Sequence, residues 1–327
     1  MKILYAIQGT GNGHLARATE LVPLLKKMAH TDVLVSGIQG DIQPPFEVDY
    51  QFYGLSFIFG KKGGVSLTQT LRKARPFRLI KDILRLPVAQ YDLIICDFEP
   101  VTAWACKLRK KRCVGLSHQN AVLHPDAPMP AKSNSLGKFI LQHYAPDTTK
   151  YGFHFQALDE YNFTPVIRSS IRHAKFTSGK HFTVYLPAYS DLEIISALSP
   201  FPDTPWEVFS KHCRQAYQVN NISIQPVSLA NFTKSFISCQ GIICTAGFET
   251  PAEAMFMGKK LCVIPMKNQF EQACNAAFLE TMGILVLPEL RNQHQKIQKW
   301  LEENECHQID YPDKTKAILE TILASDD

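Results

Sequence analysis

The sequence predicts an α/β protein with two parallel-sheet domains that face each other across a cleft. Three observations support this prediction. Strand-length apolar runs alternate with helical patterns in both halves, as in parallel sheets covered by helices. The 327 residues suffice for two domains. The content of 45% hydrophobic and 20% charged residues is ordinary for a soluble globular chain.

The strand and helix patterns follow one another along the chain. In the first half the predicted strands are Ile3–Ile7, Asp32–Val35, Leu93–Cys96 and Cys113–Leu116, and the predicted helices include His14–Met28 and Pro100–Leu108. In the second half the strands are Phe182–Leu186, Ile222–Ile224, Ile242–Cys244, Leu261–Ile264 and Ile284–Leu287, and the helices are Leu229–Phe236, Pro251–Met257 and Phe270–Met282. We expect a first domain over residues 1–150, a second over 151–310, an irregular linker near 146–180, and a terminal helix within 311–327 that packs on either domain, including a return to the first.

The cysteine content and the charge distribution indicate the cellular compartment and the kind of partner. Nine cysteines occur without a C-x-x-C pair, which disfavours a zinc ribbon or a disulfide framework and favours a reducing cytoplasm. The first residues lack the features of a signal peptide, and no apolar run reaches the roughly 18 residues that span a bilayer. Residues 1–150 carry 20 Lys and Arg against 11 Asp and Glu, which favours an anionic partner or a merely solvated basic surface.

A glycine-rich loop follows the first strand and opens the first helix. Gly9, Gly11, Asn12, Gly13 and His14 carry it, and a helix N-terminus there suits an anion. Histidine at the third glycine position of G-x-G-x-x-G, and the lack of a following G-K-[ST], disfavour a dinucleotide site and a P-loop. The histidine falls at a strand-end crevice, so it is either a proton-transfer residue or a local hydrogen-bond partner.

A second loop and helix follow the strand Ile242–Cys244. We interpret Thr250, Pro251 and Glu253 as N-cap, N1 and N3 of a capping box, with Glu253 alternatively free to bind a ribose diol. The helix N-terminus offers N–H groups to a phosphate. A further strand and helix start then supply amide and carboxylate groups that pair well with sugar hydroxyls; they are Gln269, Glu271, Gln272 and Asn275.

Together these segments resemble the donor site of GT-B glycosyltransferases of the family 28-like group, which includes the bacterial transferase that forms lipid II. The resemblance rests on the run from Thr245 to Ala254, on Glu271–Ala276, on the glycine loop before His14, and on His118, Gln119 and Asn120 as an acceptor-side loop. It implies two Rossmann-like domains, a donor held by the second domain and an acceptor by the first.

The resemblance also implies roles for single residues. Glu253 would bind the donor ribose, Glu271 and Gln272 the donor sugar, and the backbone of Gly247 and Phe248 the diphosphate. His14 would be the general base or support the phosphate. The remaining implied donor contacts are Thr245, Glu249, Thr250, Gln269 and Asn275.

The chain departs from that group at three places. Ala246 replaces a common serine, and the loop after Phe182–Leu186 lacks glycine, so we expect Ser190 to supply its hydroxyl and N–H to the diphosphate. Asp97 and Glu99 follow another strand end beside the expected cleft. Each is either an alternative base or a helix cap.

A basic segment, Arg72–Arg85, contains Arg72, Lys73, Arg75, Arg78, Lys81 and Arg85 against one acid, Asp82. From Pro76 onward the basic and apolar residues fall on separate helical faces. This pattern is typical of an interfacial membrane helix, although a helix packed on the core with a solvated basic face also fits. No nucleic-acid recognition module accompanies the charge, so no nucleic-acid partner is expected.

The sequence thus predicts transfer of a sugar from a nucleotide-sugar donor, of the UDP-sugar class, to an acceptor hydroxyl, which includes the case of a lipid-linked acceptor. By the resemblance the reaction is inverting and needs no metal or other cofactor. The predicted location is cytoplasmic, including the inner face of the membrane. The alternatives are a nucleotide-sugar hydrolase or 2-epimerase with the same fold, and a non-catalytic nucleotide-sugar-binding protein.

Overall fold

Strand pairing divides the chain into two sheets, each with seven strands among the residues described. The computed structural model describes residues 1–37, 44–55, 75–131, 134–303 and 305–325. The first sheet has the order β3-β2-β1-β4-β5-β6-β7, and all its paired strands are parallel. The second has the order β10-β11-β9-β8-β12-β13-β14, in which β10 alone pairs antiparallel among the described strands.

The strands of the first sheet are β1 (Lys2–Gln8), β2 (His30–Ser36), β3 (Tyr50–Phe52), β4 (Leu93–Asp97), β5 (Val114–Ser117), β6 (Thr149–Phe153) and β7 (Asn162–Phe163). The helices of this part are Gly13–Met28, Pro76–Arg85, Pro100–Leu108, His118–Val122, Ser135–His143 and Ser169–Arg172. Every residue of β1 except Lys2 is buried, because helices cover both faces of a parallel sheet.

The strands of the second sheet are β8 (Phe182–Tyr185), β9 (Trp206–Ser210), β10 (Tyr217–Val219), β11 (Ile222–Pro226), β12 (Gly241–Thr245), β13 (Lys260–Ile264) and β14 (Leu285–Val286). Its helices are Asp191–Leu198, Leu229–Ser238, Glu249–Phe256, Phe270–Thr281 and His294–Glu302. The last helix, Thr315–Ala324, contacts the first helix, Gly13–Met28. The α/β fold class predicted from the sequence is confirmed.

The stretch from 146 to 180 differs from the prediction. It was expected to be an irregular linker, but it supplies β6 and β7, which continue the first sheet beyond β5. The strands themselves therefore pass from the first sheet to the second between Phe163 and Phe182, and the boundary expected at residue 150 falls within β6. Aromatic residues there pack inward: Phe153 and Phe155 are buried.

The two domains share an apolar core where they meet. One buried cluster contains residues of both sheets, and Phe155 from the first lies 4.9 Å, centroid to centroid, from Phe248 of the second. Above this contact the carboxyl ends of both sheets face each other. That edge is where open α/β sheets place ligands.

The basic segment forms a helix as predicted, over Pro76–Arg85. Ile83 and Asp82 face inward, whereas Phe77, Ile80 and Leu84 are 88%, 53% and 60% exposed. Arg72 and Lys73 lie outside the described residues. No helix in the described ranges has the length and apolar character needed to cross a membrane.

Candidate active site

A cavity of about 160 Å³ lies between the carboxyl ends of the two sheets. Predicted residues that line it are Gly11, Asn12, Gly13, His14, His118 and Gln119 from the first domain, and Thr245, Gly247, Phe248, Glu249, Thr250, Gln269, Glu271 and Gln272 from the second. Both the glycine loop and the second-domain loop therefore face one space. Thr10, Arg17, Tyr185, Pro187, Lys211 and Met266 also line it, and sequence reasoning had not selected them.

The His14 ring is held by the carboxylate of Asp97. Nδ1 of His14 lies 2.7 Å from Oδ1 of Asp97, whose side chain is fully buried at the end of β4. Phe98, the next residue, has φ 54°, a left-handed conformation that costs energy for a bulky side chain. This turn directs Asp97 toward His14 and leaves Glu99 to face the start of the next helix.

Charge and burial set the protonation of this pair. Burial lowers the pKa of His14, but the charge and hydrogen bond of Asp97 raise it further, so the net pKa is raised. For Asp97, burial raises the pKa, and Arg17 and His14 lower it more, so the carboxylate stays ionised. With Nδ1 engaged, Nε2 is the ring nitrogen left for proton transfer.

Glu99 is a helix cap. Its carboxylate accepts hydrogen bonds from the backbone N–H groups of Val101 and Thr102, both at 2.7 Å, and from Ser36 Oγ at 2.5 Å. The side chain is fully buried and does not line the cavity. The geometry therefore supports Glu99 as a helix cap and argues against Glu99 as the general base.

Arg17 is the main functional candidate that the sequence did not reveal. Its guanidinium is almost completely buried, donates to both oxygens of Asp97, and donates to Glu249 of the second domain. An arginine within an amphipathic helical pattern usually lies on the solvated face, and no motif marked this one as different. Its burial depends on two carboxylates that are distant in sequence.

The helix Glu249–Phe256, called the donor-side helix below, follows the donor-side loop Thr245–Phe248 and begins two residues earlier than the capping-box interpretation requires. It runs from Glu249, and Phe248 is its N-cap, so the assignment of Thr250 as N-cap is wrong. No side chain among the described residues caps this helix. Thr245, Gly247 and Phe248 lie at the cavity. The uncapped end therefore leaves backbone N–H groups available to an anion.

Glu253 also does not cap its helix. Arg168 donates to both of its carboxylate oxygens at 2.6 Å, and both side chains are buried. The pair lines a second cavity of about 110 Å³, beside Phe232, which shares Gly13 and Glu249 with the first cavity. A carboxylate beside an aromatic side chain suits a nucleoside. The sequence did not indicate Arg168 as its partner, because Arg168 lies in the stretch 146–180 that was predicted to be an irregular linker.

The polar residues predicted to bind the donor sugar contact each other across the cleft. Gln119 donates to Glu271 at 2.9 Å and lies 3.4 Å from Nε2 of His14. Burial raises the pKa of Glu271. Gln272 accepts from the backbone N–H of Met266 at 2.9 Å and so fixes its own loop.

His118 and Asn275 join the two domains. Nε2 of His118 lies 2.7 Å from Oδ1 of Asn275, and its ring stacks on Phe248 with 4.0 Å between centroids. Burial lowers the pKa of His118 to about 3, and the nearby His154 adds to the effect, so the ring is neutral. Asn275 lies outside the cavity lining and donates to the Ala246 carbonyl.

Three further predicted residues lie apart from the cavity. Ser190 forms a capping box with Glu193 at the helix Asp191–Leu198, so its hydroxyl serves that helix rather than a diphosphate. Asn120 donates to Asp147 at 3.0 Å. Gly9 lies beside the end of β2, where its N–H donates to the Ser36 carbonyl, and a Cβ there would be 2.9 Å from a methyl of Val35.

One group in the described part of the chain has metal-ligand chemistry, although no such cluster was expected. Ligand atoms of Cys96, Cys113 and Asp147 lie within 4.8 Å of one another. None of the three lines the cleft cavity. They are therefore not part of the candidate active site.

Comparison with known proteins gives the family and the fold. A family model described as "Glycosyl transferase family 1" matches residues 1–303. The comparison with curated proteins finds no match. Solved structures of similar fold include UGT89C1 of Arabidopsis thaliana complexed with UDP, at TM-score 0.58 and 9% identity over 99% of this chain and 94% of that one.

Two others are the glycosyltransferase of kitacinnamycin, at TM-score 0.58 and 11% identity over 99% and 95% of the two chains, and MurG of Acinetobacter baumannii, at 0.55 and 13% over 99% of each. At these identities the likeness establishes the fold alone, which is the GT-B arrangement of two facing domains. The family match covers nearly the whole chain. The protein is thus a glycosyltransferase with the GT-B fold, and it belongs to glycosyl transferase family 1.

Proposed function

We propose that the protein transfers a sugar from a UDP-sugar to an acceptor hydroxyl, with His14 as the general base. The observation that carries this proposal is the position of His14: its Nδ1 is held by buried Asp97, and its ring lines a cavity opposite the uncapped helix end at Gly247–Thr250. A base on one side and an anion site on the other are what the transfer needs.

The donor lies against the second domain in this proposal. Its diphosphate accepts from the backbone N–H groups at the start of the helix Glu249–Phe256, and its nucleoside occupies the cavity beside Phe232 and Glu253. Glu271 and Gln272 then face the sugar hydroxyls. The choice of a nucleotide donor is supported by similar structures: UGT89C1 is complexed with UDP, and VinC, at TM-score 0.50, with dTDP.

The reaction is a single displacement. Nε2 of His14 takes the proton of the acceptor hydroxyl as its oxygen attacks the anomeric carbon, and the bond to the diphosphate breaks. Attack opposite the leaving group inverts the anomeric centre. The helix N-terminus stabilises the negative charge that develops on the diphosphate, and we propose that no metal is required.

The acceptor side is proposed to face an anionic membrane, on its cytoplasmic leaflet, with a lipid-linked acceptor. The helix Pro76–Arg85 of the first domain supports this, because Phe77, Ile80 and Leu84 are exposed next to Arg78, Lys81 and Arg85, which are also exposed. Such a helix lies in the membrane interface with its apolar residues among the acyl chains.

Calorimetry with UDP, followed by product analysis with a panel of UDP-sugars and acceptors, tests the proposal. We expect UDP binding, and an acceptor-dependent glycoside as the product. Free sugar and UDP at the same rate without acceptor would instead indicate a hydrolase. Activity that survives EDTA supports the metal-independent reaction, and activity lost on EDTA and restored by a divalent ion would contradict it.

A further inference from the structure

Arg17 connects the two halves of the candidate active site. Its Nη2 lies 2.7 Å and 2.9 Å from the two oxygens of Asp97, and its Nε lies 3.2 Å from one of them. Its Nη1 donates to Glu249, at the first position of the donor-side helix. One buried side chain thus links the carboxylate behind His14 to the opposite domain.

We propose that Arg17 is a positioning residue, which holds Asp97 behind His14 and is itself held by Glu249 when the two domains meet. The inference rests on the proposed role of His14 as base. The guanidinium is fixed at both ends because each end binds a carboxylate, so the contact between the domains keeps the base aligned. A planar fork with several donors can bridge two carboxylates, which an ammonium group cannot do equally well.

Glu249 lies against Gly13 of the glycine loop in the first domain. A Cβ on Gly13 would overlap the Glu249 carboxylate, so a larger residue there would push the end of this side chain aside. Gly13 is the first residue of the helix Gly13–Met28, and a carboxylate at a helix N-terminus is favoured. Glu249 is therefore received by two positive features, the helix end and Arg17.

Arg17 and Glu249 both line the cleft cavity, and Glu249 also lines the second cavity beside Phe232. Their contact between the domains therefore lies directly beside the space that the proposed donor occupies.

Four charged groups surround His14. Asp97 approaches from the end of β4, and Arg17 lies on the same helix as His14. Glu249 and Glu271 come from two helices of the second domain, and Gln119 lies between Glu271 and His14. Lys211 also lines the cavity. The charge of Arg17 lowers the pKa of His14, and the charge of Glu249 raises it, so contact with Glu249 makes His14 the stronger base.

The test is an NMR titration of His14 in the full-length chain labelled with ¹⁵N-histidine, assigned with His14→Gln. In Glu249→Gln we expect the titration of His14 to shift to lower pH and the Nδ1 resonance to lose the signature of a fixed hydrogen bond. Glu20→Gln is the matched control, because Glu20 is also a carboxylate bonded to a residue distant in sequence, Ser169, at 2.5 Å, and it lies outside the cavity. An unchanged titration in Glu249→Gln would overturn the proposal.

A second pair of variants separates positioning from simple charge. Arg17→Lys keeps the positive charge but loses the fork, so we expect Glu249→Gln to shift His14 less in that background. Equal shifts in both backgrounds would mean that Glu249 acts through its charge alone, which contradicts the positioning role. Thermal unfolding checks that each variant is folded. Failure of UDP to bind in calorimetry would overturn the proposed donor site but would leave this NMR result unaffected.

Discussion

The guanidinium of Arg168 donates hydrogen bonds to both carboxylate oxygens of Glu253, each at 2.6 Å, and the buried pair lines the second cavity. Arg168 comes from the chain between the two sheets and Glu253 from the donor-side helix. The pair therefore fixes that helix against the connecting segment. It also determines how the proposed ribose contact of Glu253 has to be tested.

We predict that Glu253→Ala lowers the free energy of unfolding by about 3–5 kcal/mol, because it leaves Arg168 buried without a partner. Urea unfolding measures this. UDP binding by calorimetry should weaken beyond what the loss of stability explains. The double variant Glu253→Met with Arg168→Met should recover stability but not UDP binding. Recovery of both would restrict Glu253 to its ion pair.

The base role predicts that His14→Ala lowers turnover by roughly 10²–10⁴-fold while donor affinity is largely kept. The reason is that Ala removes the proton acceptor and leaves the donor-side helix unchanged. Steady-state rates with saturating UDP-sugar, together with UDP calorimetry, measure the two effects. Lost affinity with surviving turnover would place His14 on the phosphate instead.

The pH profile has a predicted sign. His14 must be neutral to accept a proton, and its pKa is raised above the usual value of 6.5 by Asp97, against the effect of burial. The rate kcat/KM should therefore fall as the pH drops through a value above 6.5. Asp97→Asn should move this acid limb to lower pH, because it removes the charge that favours the imidazolium. A limb that stays in place would argue against the pairing.

We predict that acid lowers the free energy of unfolding through His118, which lies at the contact between the domains. The pKa of His118 is about 3 in the folded protein, lowered by burial, against 6.5 when unfolded. Below pH 6.5 the unfolded chain binds more protons, so stability falls with acidification, by about 1.4 kcal/mol per pH unit for one such group. His154, with a pKa lowered by burial to about 4, adds to the slope.

Urea unfolding between pH 4.5 and 6.5 measures this slope. We expect a smaller slope in His118→Gln and no change in His212→Gln, a substitution of an exposed histidine. Equal slopes in the three proteins would contradict the assignment of the effect to His118.

Binding to anionic vesicles is predicted at low salt and not at 1 M salt, where the Debye length falls to about 3 Å. Reversal of Arg78, Lys81 and Arg85 to Glu should abolish co-sedimentation. Reversal of Lys296, Lys299 and Lys316 makes the same charge change on other exposed surfaces and should preserve it. Equal binding to neutral and anionic vesicles would contradict the proposed binding to an anionic membrane.

Sequence patterns located the loops of the site but not the contacts within it. The strands β1 and β12 are largely continuous apolar runs, so the sequence was enough to place the glycine loop and the donor-side loop directly after them. By contrast, β6 and β9 are short and mix polar with aromatic residues, so neither alternation nor an apolar run marks them. Missing β6 also hid Arg168, which lies beyond it.

Side-chain partners that come from distant segments could not be foreseen. Glu253 has the spacing of a capping residue, yet Arg168, 85 positions earlier, takes its carboxylate. Asp97 and Glu99 were equivalent in the sequence, and the left-handed backbone at Phe98 separates their roles. In each case tertiary contacts decided between two interpretations that local spacing left open.

The return of the last helix to the first domain means that the chain passes between the domains twice. One passage runs from Phe163 to Phe182. The other lies near Ile309, which bonds to Met255 in the second domain, and Tyr311, whose hydroxyl bonds to Phe155 in the first. The two passages are neighbours, because Asp313 of the second interacts electrostatically with Arg172 and His173 of the first. Both ends of the second domain are therefore anchored on the first domain at one place, which limits how far the two domains can separate.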